Sequence, residues 1–309
     1  MQAIYFFCDD LSKDHVAPYV YSEVMRLIAP AETAIAFGGM TVYEYHDVYG
    51  NRYNFVATGD VLSHKYEQCL PEMTKFFAGY DFAGIINWHE GNNAPDHILT
   101  VHSTGDVPSG IFVKSNPLYF RNLLTAIHKI LLETDLEVFR VCTEATHWSG
   151  TMYKSAPTLL ERFDVPTYDI EIGSSKDSWD NTEAASVLAK ALTHVFDDAP
   201  RPKTLLAVGG VHFEETFGNV MLDDNYPVCV AHILPNQWIV SGKYEETEGL
   251  EKLQRCADKI IGGIDGIVFH DNLKGDYKNQ CRALARKLNV PIFKHQLLRD
   301  SGRLKEVLG

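Results

Sequence analysis

Residues 136–150 read L-E-V-F-R-V-C-T-E-A-T-H-W-S-G. The first seven read as a half-buried strand, from their alternation of side chains. The rest is chemically different. Thr143, Glu144, Thr146 and His147 leave the strand end together, and Gly150 closes the turn. Strand ends in α/β sheets are where loops converge on a rigid scaffold and where ligands bind. The same form recurs at residues 205–212 (L-L-A-V-G-G-V-H), 228–235 (V-C-V-A-H-I-L-P) and 82–89 (F-A-G-I-I-N-W-H). Four strands thus deliver His147, His212, His232 and His89 at or near their ends, which predicts one site fed by four loops. A single histidine after a strand is ordinarily a surface or hydrogen-bonded core residue, and only the repetition points to a site. With 13 histidines in the chain some are bystanders, and His128, alone on an apolar helix, is read as one.

Working outward, strands and helices alternate along the whole chain. Strands are expected at residues 4–8, 33–37, 41–49, 52–58, 82–88, 98–102, 136–142, 168–172, 205–208, 228–234, 266–269 and 291–293. Helices are expected at 16–28, 63–77 with an interruption at Pro71, 116–133, from the turn at 173–175 to 196, 246–261, 276–288 and 297–308. The turns at 50–51 and in residues 33–58 are hairpin-like, whereas the rest alternates as βα units. This pattern predicts an α/β protein, a layered α/β/α arrangement with a mixed central sheet. No repeat, low-complexity segment or linker is visible, so residues 1–309 are read as a single domain.

Composition excludes several classes. The 309 residues are 45% hydrophobic and 22% charged, an ordinary globular balance. No run approaches the length of a membrane span, so no membrane partner is expected. The first ten residues, M-Q-A-I-Y-F-F-C-D-D, read as a buried strand rather than a signal peptide. Six scattered cysteines without a C-x-x-C pair suit a reducing cytoplasm. The net charge of −13 counts against nucleic acid as a partner, and no DNA is expected. Residues 270–309, however, carry five Lys and four Arg against three Asp and one Glu. A basic face on the helix from residue 276, with Lys274 just before it and Lys278, Arg282 and Arg286 along it, is expected to meet phosphates if RNA is the partner. A solvated helix surface accounts for the same count.

H-E-x-x-H, a Walker loop and G-x-S-x-G are all absent. The ordered histidine segments nevertheless resemble the archaeal and plant type of D-aminoacyl-tRNA deacylase. The family's L-T-V-H-x-x-G-N is similar to residues 99–106, which follow His89 and contain His102. Its T-H-H-G-P is similar to residues 146–150, and its E-I-G-S-x-x-x-x-W to residues 171–179. Its G-G-G-H-Y resembles residues 209–213, its G-H-I-L-P residues 231–235, and its L-K-G residues 273–275. The departures are Trp148 for the second histidine, Val211 for the third glycine, Asp106 for asparagine and Phe213 for tyrosine. Glu214-Glu215 and Asn236-Gln237-Trp238 also stand where the family has other residues.

The resemblance implies hydrolysis of the ester between a D-amino acid and the terminal ribose of tRNA, in a zinc-associated protein. On that basis His147 and His212 are the candidates to activate water, as bases or through a metal. Glu144 or Glu171 is expected to orient a histidine, and Lys274 or the Gly210 N–H to stabilise the oxyanion. His89, His102, Gly209, Gly210 and Glu171 are expected to bind substrate. His147, His212 and His232 are the expected zinc ligands. The altered motifs and acidic charge leave two further readings open: a hydrolase acting on a small metabolite with the same fold, and a non-catalytic binding protein.

Overall fold

The computed structural model describes residues 1–91 and 94–309; the two asparagines in the expected 89–97 loop, residues 92 and 93, lie outside the described residues. The strands in chain order are β1 (Gln2–Cys8), β2 (Ala31–Phe37), β3 (Met40–His46), β4 (Arg52–Thr58), β5 (Phe82–His89), β6 (Ile98–Ser103), β7 (Gly105–Asp106), β8 (Ile111–Phe112), β9 (Arg140–Thr143), β10 (Thr167–Gly173), β11 (Lys203–Val208), β12 (Val228–Leu234), β13 (Gly266–Phe269) and β14 (Ile292–Lys294). Eight of them form one mixed sheet in the order β2-β3-β4-β1-β5-β10-β6-β9. Its centre is parallel, β2-β3-β4 is the expected antiparallel meander, and β10 runs antiparallel to β6.

Strands β12-β11-β13-β14 form a second, wholly parallel sheet, which the strand pattern alone did not separate from the first. One apolar core links the two sheets, joining Tyr5, Phe82 and Ile170 of the large sheet to Leu205, Val230 and Val268 of the small one. The helix Pro117–Leu131 sits within that core and is buried along most of its length. Asn116 caps it, its side chain accepting from the Leu118 and Tyr119 N–H groups at 3.2 and 3.4 Å; such a cap contributes about 1 kcal/mol. A second apolar cluster fills the opposite face of the large sheet, around Phe6, Phe77 and Trp148.

Several element boundaries differ from expectation for local reasons. The strand before the central loop is only Arg140–Thr143, because residues 134–139 close as tight turns, with Phe139 N–H donating to the Leu136 carbonyl at 3.0 Å. Pro71 does not break its helix: Tyr66–Phe77 runs through it, held by Tyr66, Leu70, Met73 and Phe77 on one buried stripe. The helix expected after residue 175 is two, Lys176–Trp179 and Thr182–Ala191, because Asn181 caps the second by accepting from Ala184 N–H at 2.9 Å. Short helices at Glu215–Met221 and Asn236–Ser241 went unread, being too brief to show a 3.6-residue period. Among the described residues no helix is long and apolar enough to cross a membrane.

Candidate active site

The segment after β9 is stitched across the seam between the two sheets. Ala145 N–H donates to the His212 carbonyl at 2.8 Å and Thr146 N–H to the Ile233 carbonyl at 2.9 Å, while Gly105 N–H donates to the His147 carbonyl at 3.2 Å. Glu144 and His147 are therefore fixed by backbone bonds to β11 and β12 loops on one side and to the large sheet on the other. Beside them lies a cleft of about 290 Å³ whose walls include Asn87, His89, His147, Glu171, His212 and Trp238.

Beneath the cleft the large sheet presents polar side chains on one face. The β10–β6 register pairs Asp169 with His102 and Glu171 with Thr100, and the β5–β10 register pairs Asn87 with Glu171. Asn87 donates to Asp169 Oδ1 at 2.7 Å. His102 Nε2 lies 3.7 Å from Glu171 Oε1 and 3.9 Å from Asp169 Oδ2, and its ring stacks under that of His147 with centroids 3.9 Å apart. Above this layer, His212 Nε2 is 2.7 Å from Glu144 Oε2 and His89 Nε2 is 3.4 Å from the same oxygen. The rings of His147 and His212 are 5.0 Å apart, and both meet Trp238.

Burial and charge drive these groups apart in proton affinity. Burial disfavours the charge on Glu144, but His102, the hydrogen bond from His212, and His89 and His147 outweigh it and hold the carboxyl below its usual range. Burial likewise opposes charge on His102, and Glu144, Glu171 and Asp169 overcome it, raising His102 to about 9. Burial and the Glu144 charge push Glu171 up to about 8, and burial raises Asp169 to about 6. Burial and the His102 charge lower His147 well below 6.5, so its imidazole is neutral near pH 7. Titratable neighbours separated in this way mark acid and base roles.

Tautomers follow from the partners. A carbonyl only accepts, so His147 Nδ1–H donates to the Ala145 carbonyl (2.9 Å), which leaves Nε2 as a bare base. Ser174 gives its hydroxyl proton to the Pro95 carbonyl (2.9 Å), so His89 Nδ1–H donates to Ser174 Oγ (2.9 Å). His89 is neutral, because burial lowers its pKa. Its Nε2 lone pair therefore faces the Glu144 carboxylate at 3.4 Å. Two electron-rich atoms in that position suit a shared cation. Glu144 Oε1, Glu171 Oε2 and His102 Nε2 are also buried without a hydrogen-bond partner. Three sets of donors lie within 4.8 Å of one another: His89/Glu144/His212, His102/Glu144/His147 and His102/Asp169/Glu171. The residues present fit a divalent metal such as zinc.

Residues 76–293 match the sequence profile described as D-aminoacyl-tRNA deacylase. The chain belongs to the D-aminoacyl-tRNA deacylase family. It is 25% identical over 272 residues to the D-aminoacyl-tRNA deacylase of Pyrococcus furiosus, covering 85% of this chain and 90% of that one. It is 26% identical over 292 residues to the enzyme of the same name from Pyrococcus horikoshii, covering 91% and 96%. Its fold is shared with a crystal structure of a conserved protein of unknown function (TM-score 0.76, 16% identity, 97% of each chain).

The family motifs now have places. His89, His147, His212 and Glu171 line the cleft, with Glu144 buried behind them. Five other expected site residues stand elsewhere. His232, expected as a zinc ligand, joins none of the three donor sets. It is fully buried on β12, its Nδ1 within 2.9 Å of Ser103 Oγ and 3.1 Å of Thr146 Oγ1, and burial pushes it down to about 3. It braces the seam as a neutral side chain. His102, expected to touch substrate, is 1% exposed and lies under His147. Gly209, at φ +98°, gives its N–H to the Leu234 carbonyl at 2.7 Å and packs on His270 and Asn236, while Gly210 packs on Glu214. Lys274 is exposed where the helix Gly275–Leu288 begins, and it is not a wall of the cleft. On the same helix Lys278 donates to the Asp271 carbonyl at 2.9 Å and Arg282 to Asn279 at 2.9 Å.

Sequence reasoning missed Asp169, Asn87 and Ser174. Asp169 was visible in principle: D-I-E in the otherwise apolar run 167–173 puts two acids on one face of a strand. Two of the departures also have places. Trp148 is buried against Tyr66 and is not a wall of the cleft, and a Cβ at Gly150 would collide with its indole. Phe213 packs edge-on against His89, with centroids 5.0 Å apart.

The buried protons make stability depend on pH. In protein freed of metal by a chelator, folded His102 (about 9, from 6.5) and Glu171 (about 8, from 4.5) hold protons between pH 7 and 8 that the unfolded chain has largely lost. Stability then falls as pH rises, by about 1.4 kcal/mol per pH unit for each such proton. The histidines with lowered values are largely neutral, and Glu144 is ionised, in both states over that window. Urea unfolding at pH 7 and 8 should show the fall, and Glu171→Gln should make it shallower. A flat profile in both proteins would contradict the assignment.

Proposed function

We propose that this chain hydrolyses the ester of D-aminoacyl-tRNA, releasing the D-amino acid and free tRNA, with His147 as the base. The observation that carries the reading is the neutral His147, its Nδ1–H held by the Ala145 carbonyl, facing a cleft beside the His212–Glu144 pair. Water attacks the ester carbonyl as His147 Nε2 takes its proton. The carbonyl oxygen becomes the oxyanion, and its collapse breaks the bond to the ribose oxygen, which leaves with a proton returned from His147. Glu144 holds His212 in orientation through the 2.7 Å contact. The low proton affinity of His147 keeps the base free at neutral pH.

His89, Glu144 and His212 are the set that would hold a zinc ion in the cleft, in place of the His147, His212 and His232 set expected from sequence. Bound there, zinc would supply Lewis-acid polarisation and lower the pKa of a bound water.

The deciding assay uses tRNA charged with a D-amino acid or its L-isomer, with metal content measured on the same preparation. Release from the D-charged tRNA and none from the L-charged tRNA is expected. Chelation should lower the rate, and zinc should restore it. No turnover of the D-ester, or equal turnover of both, would overturn the reading.

A further inference from the structure

One flank of the cleft carries a row of aromatic rings that the hydrolytic chemistry does not use. His64 and Tyr153 sit on two short 3-10 turns, Leu62–Lys65 and Ser149–Tyr153, tied together where Ser149 Oγ–H donates to Ser63 Oγ at 2.8 Å. Their rings stack with centroids 3.4 Å apart and planes 28° from parallel. His64 meets Trp88 edge-on at 6.2 Å, and Trp88 meets His15 edge-on at 5.6 Å. His15 then stacks on Trp179 at 5.1 Å and 14°. Five rings thus run in a continuous row whose middle member, Trp88, directly precedes His89.

The row is rooted in the core at Trp88 and Trp179, which pack against it, and opens outward at Tyr153 and His15. Tyr153 is 49% exposed and its neighbour Met152 81%, while His64 and Trp88 are half-buried walls of the cleft. Contiguous exposed apolar surface of this kind marks a binding site. Burial lowers the pKa of His64, so its ring is neutral near pH 7 and suited to stacking. Each member of the stacked pair is followed in sequence by a lysine, Lys65 and Lys154. Among the described residues neither forms an ion pair, whereas nearby Lys13 is matched by Asp10 and Asp60. Two cations without an acidic partner thus stand beside the open rings.

We infer that this row is a stacking platform for the unpaired nucleobases at the 3′ end of the RNA, with Lys65 and Lys154 meeting the phosphates between them. The inference rests on the tRNA-ester reading of the neighbouring cleft. Sequence-tolerant recognition of single strands uses this combination of aromatic faces and flanking cations. The ester to be cut lies at the end of such a strand, and the platform opens beside the histidines that would cut it.

The test is binding of a short RNA ending in CCA, with 2-aminopurine in place of the terminal adenine, followed by fluorescence. Tyr153→Ala should weaken binding by about 5- to 150-fold, the range that loss of a base–aromatic stack produces. Tyr153→Phe, which keeps the ring, should bind as wild type. Lys154→Ala should make the slope of log affinity against log salt shallower by about 0.7, the single-strand value per phosphate. Wild-type binding by folded Tyr153→Ala, or equal loss in Tyr153→Phe, would overturn the platform. The same proteins tested on D-charged tRNA separate the two readings. Ring-dependent RNA binding without deacylation would uphold the platform and sink the hydrolytic function, and deacylation indifferent to Tyr153→Ala would do the reverse.

Discussion

His147→Ala is expected to lower kcat/KM on D-charged tRNA by about 10²- to 10⁴-fold, the usual contribution of a positioned general base. The same change should cost only about 0.5–1.5 kcal/mol of stability, the worth of an aromatic pair, because the ring lies half-buried on His102 rather than inside the core. His147→Gln keeps comparable bulk without a basic nitrogen, so it should be equally inactive. Steady-state kinetics and urea unfolding on the same preparations separate chemistry from folding. The low proton affinity of His147 adds a pH signature: the acid limb of the wild-type profile should lie below pH 6.5. A folded His147→Ala enzyme with full activity would remove the residue from the mechanism.

The strand-end histidines were legible because a half-buried strand announces itself by period and a polar cluster at its end is conspicuous. Period alone did not reveal which histidines converge. His232 occupies a strand of the same form as His212's, yet a register shift between Leu205 and Leu206 accompanies its pairing, and its ring meets Phe112 and Ser103 instead of the cleft. A one-residue change in register turns a side chain to the other face, and one sequence does not show it. The split of the sheet into two was hidden for a similar reason. Strand β11 pairs with β12 and β13, and nothing in its apolar run excludes β9 as a partner. The carboxylate layer under the cleft depended on strand order: Asp169 and His102 are 67 positions apart and meet only because β10 pairs with β6. Lys274 is the opposite case: it reads as part of the site because it stands next to a motif, and the fold places it on the surface, outside the walls of the cleft.

Glu144→Leu is expected to destabilise the fold by about 3–5 kcal/mol, the cost of breaking a buried ion pair by removing one partner. The Glu144 side chain is fully buried, and its negative charge is the largest influence holding His102 protonated inside the sheet. Without it, His102 keeps only Asp169 and Glu171 to offset its buried charge, and His212 loses its 2.7 Å partner. Glu144→Gln keeps the volume and one acceptor but not the charge, so it should fall between wild type and Glu144→Leu. If the loss is electrostatic, Glu144→Leu combined with His102→Leu should cost less than the two single changes added together, since the pair vanishes as a unit. Urea unfolding of the four proteins measures that coupling. Additive losses would mean that Glu144 stabilises by packing alone. Activity should be absent from every variant lacking the carboxylate, because the orientation of His212 and the only acidic member of the His89/Glu144/His212 set disappear with it.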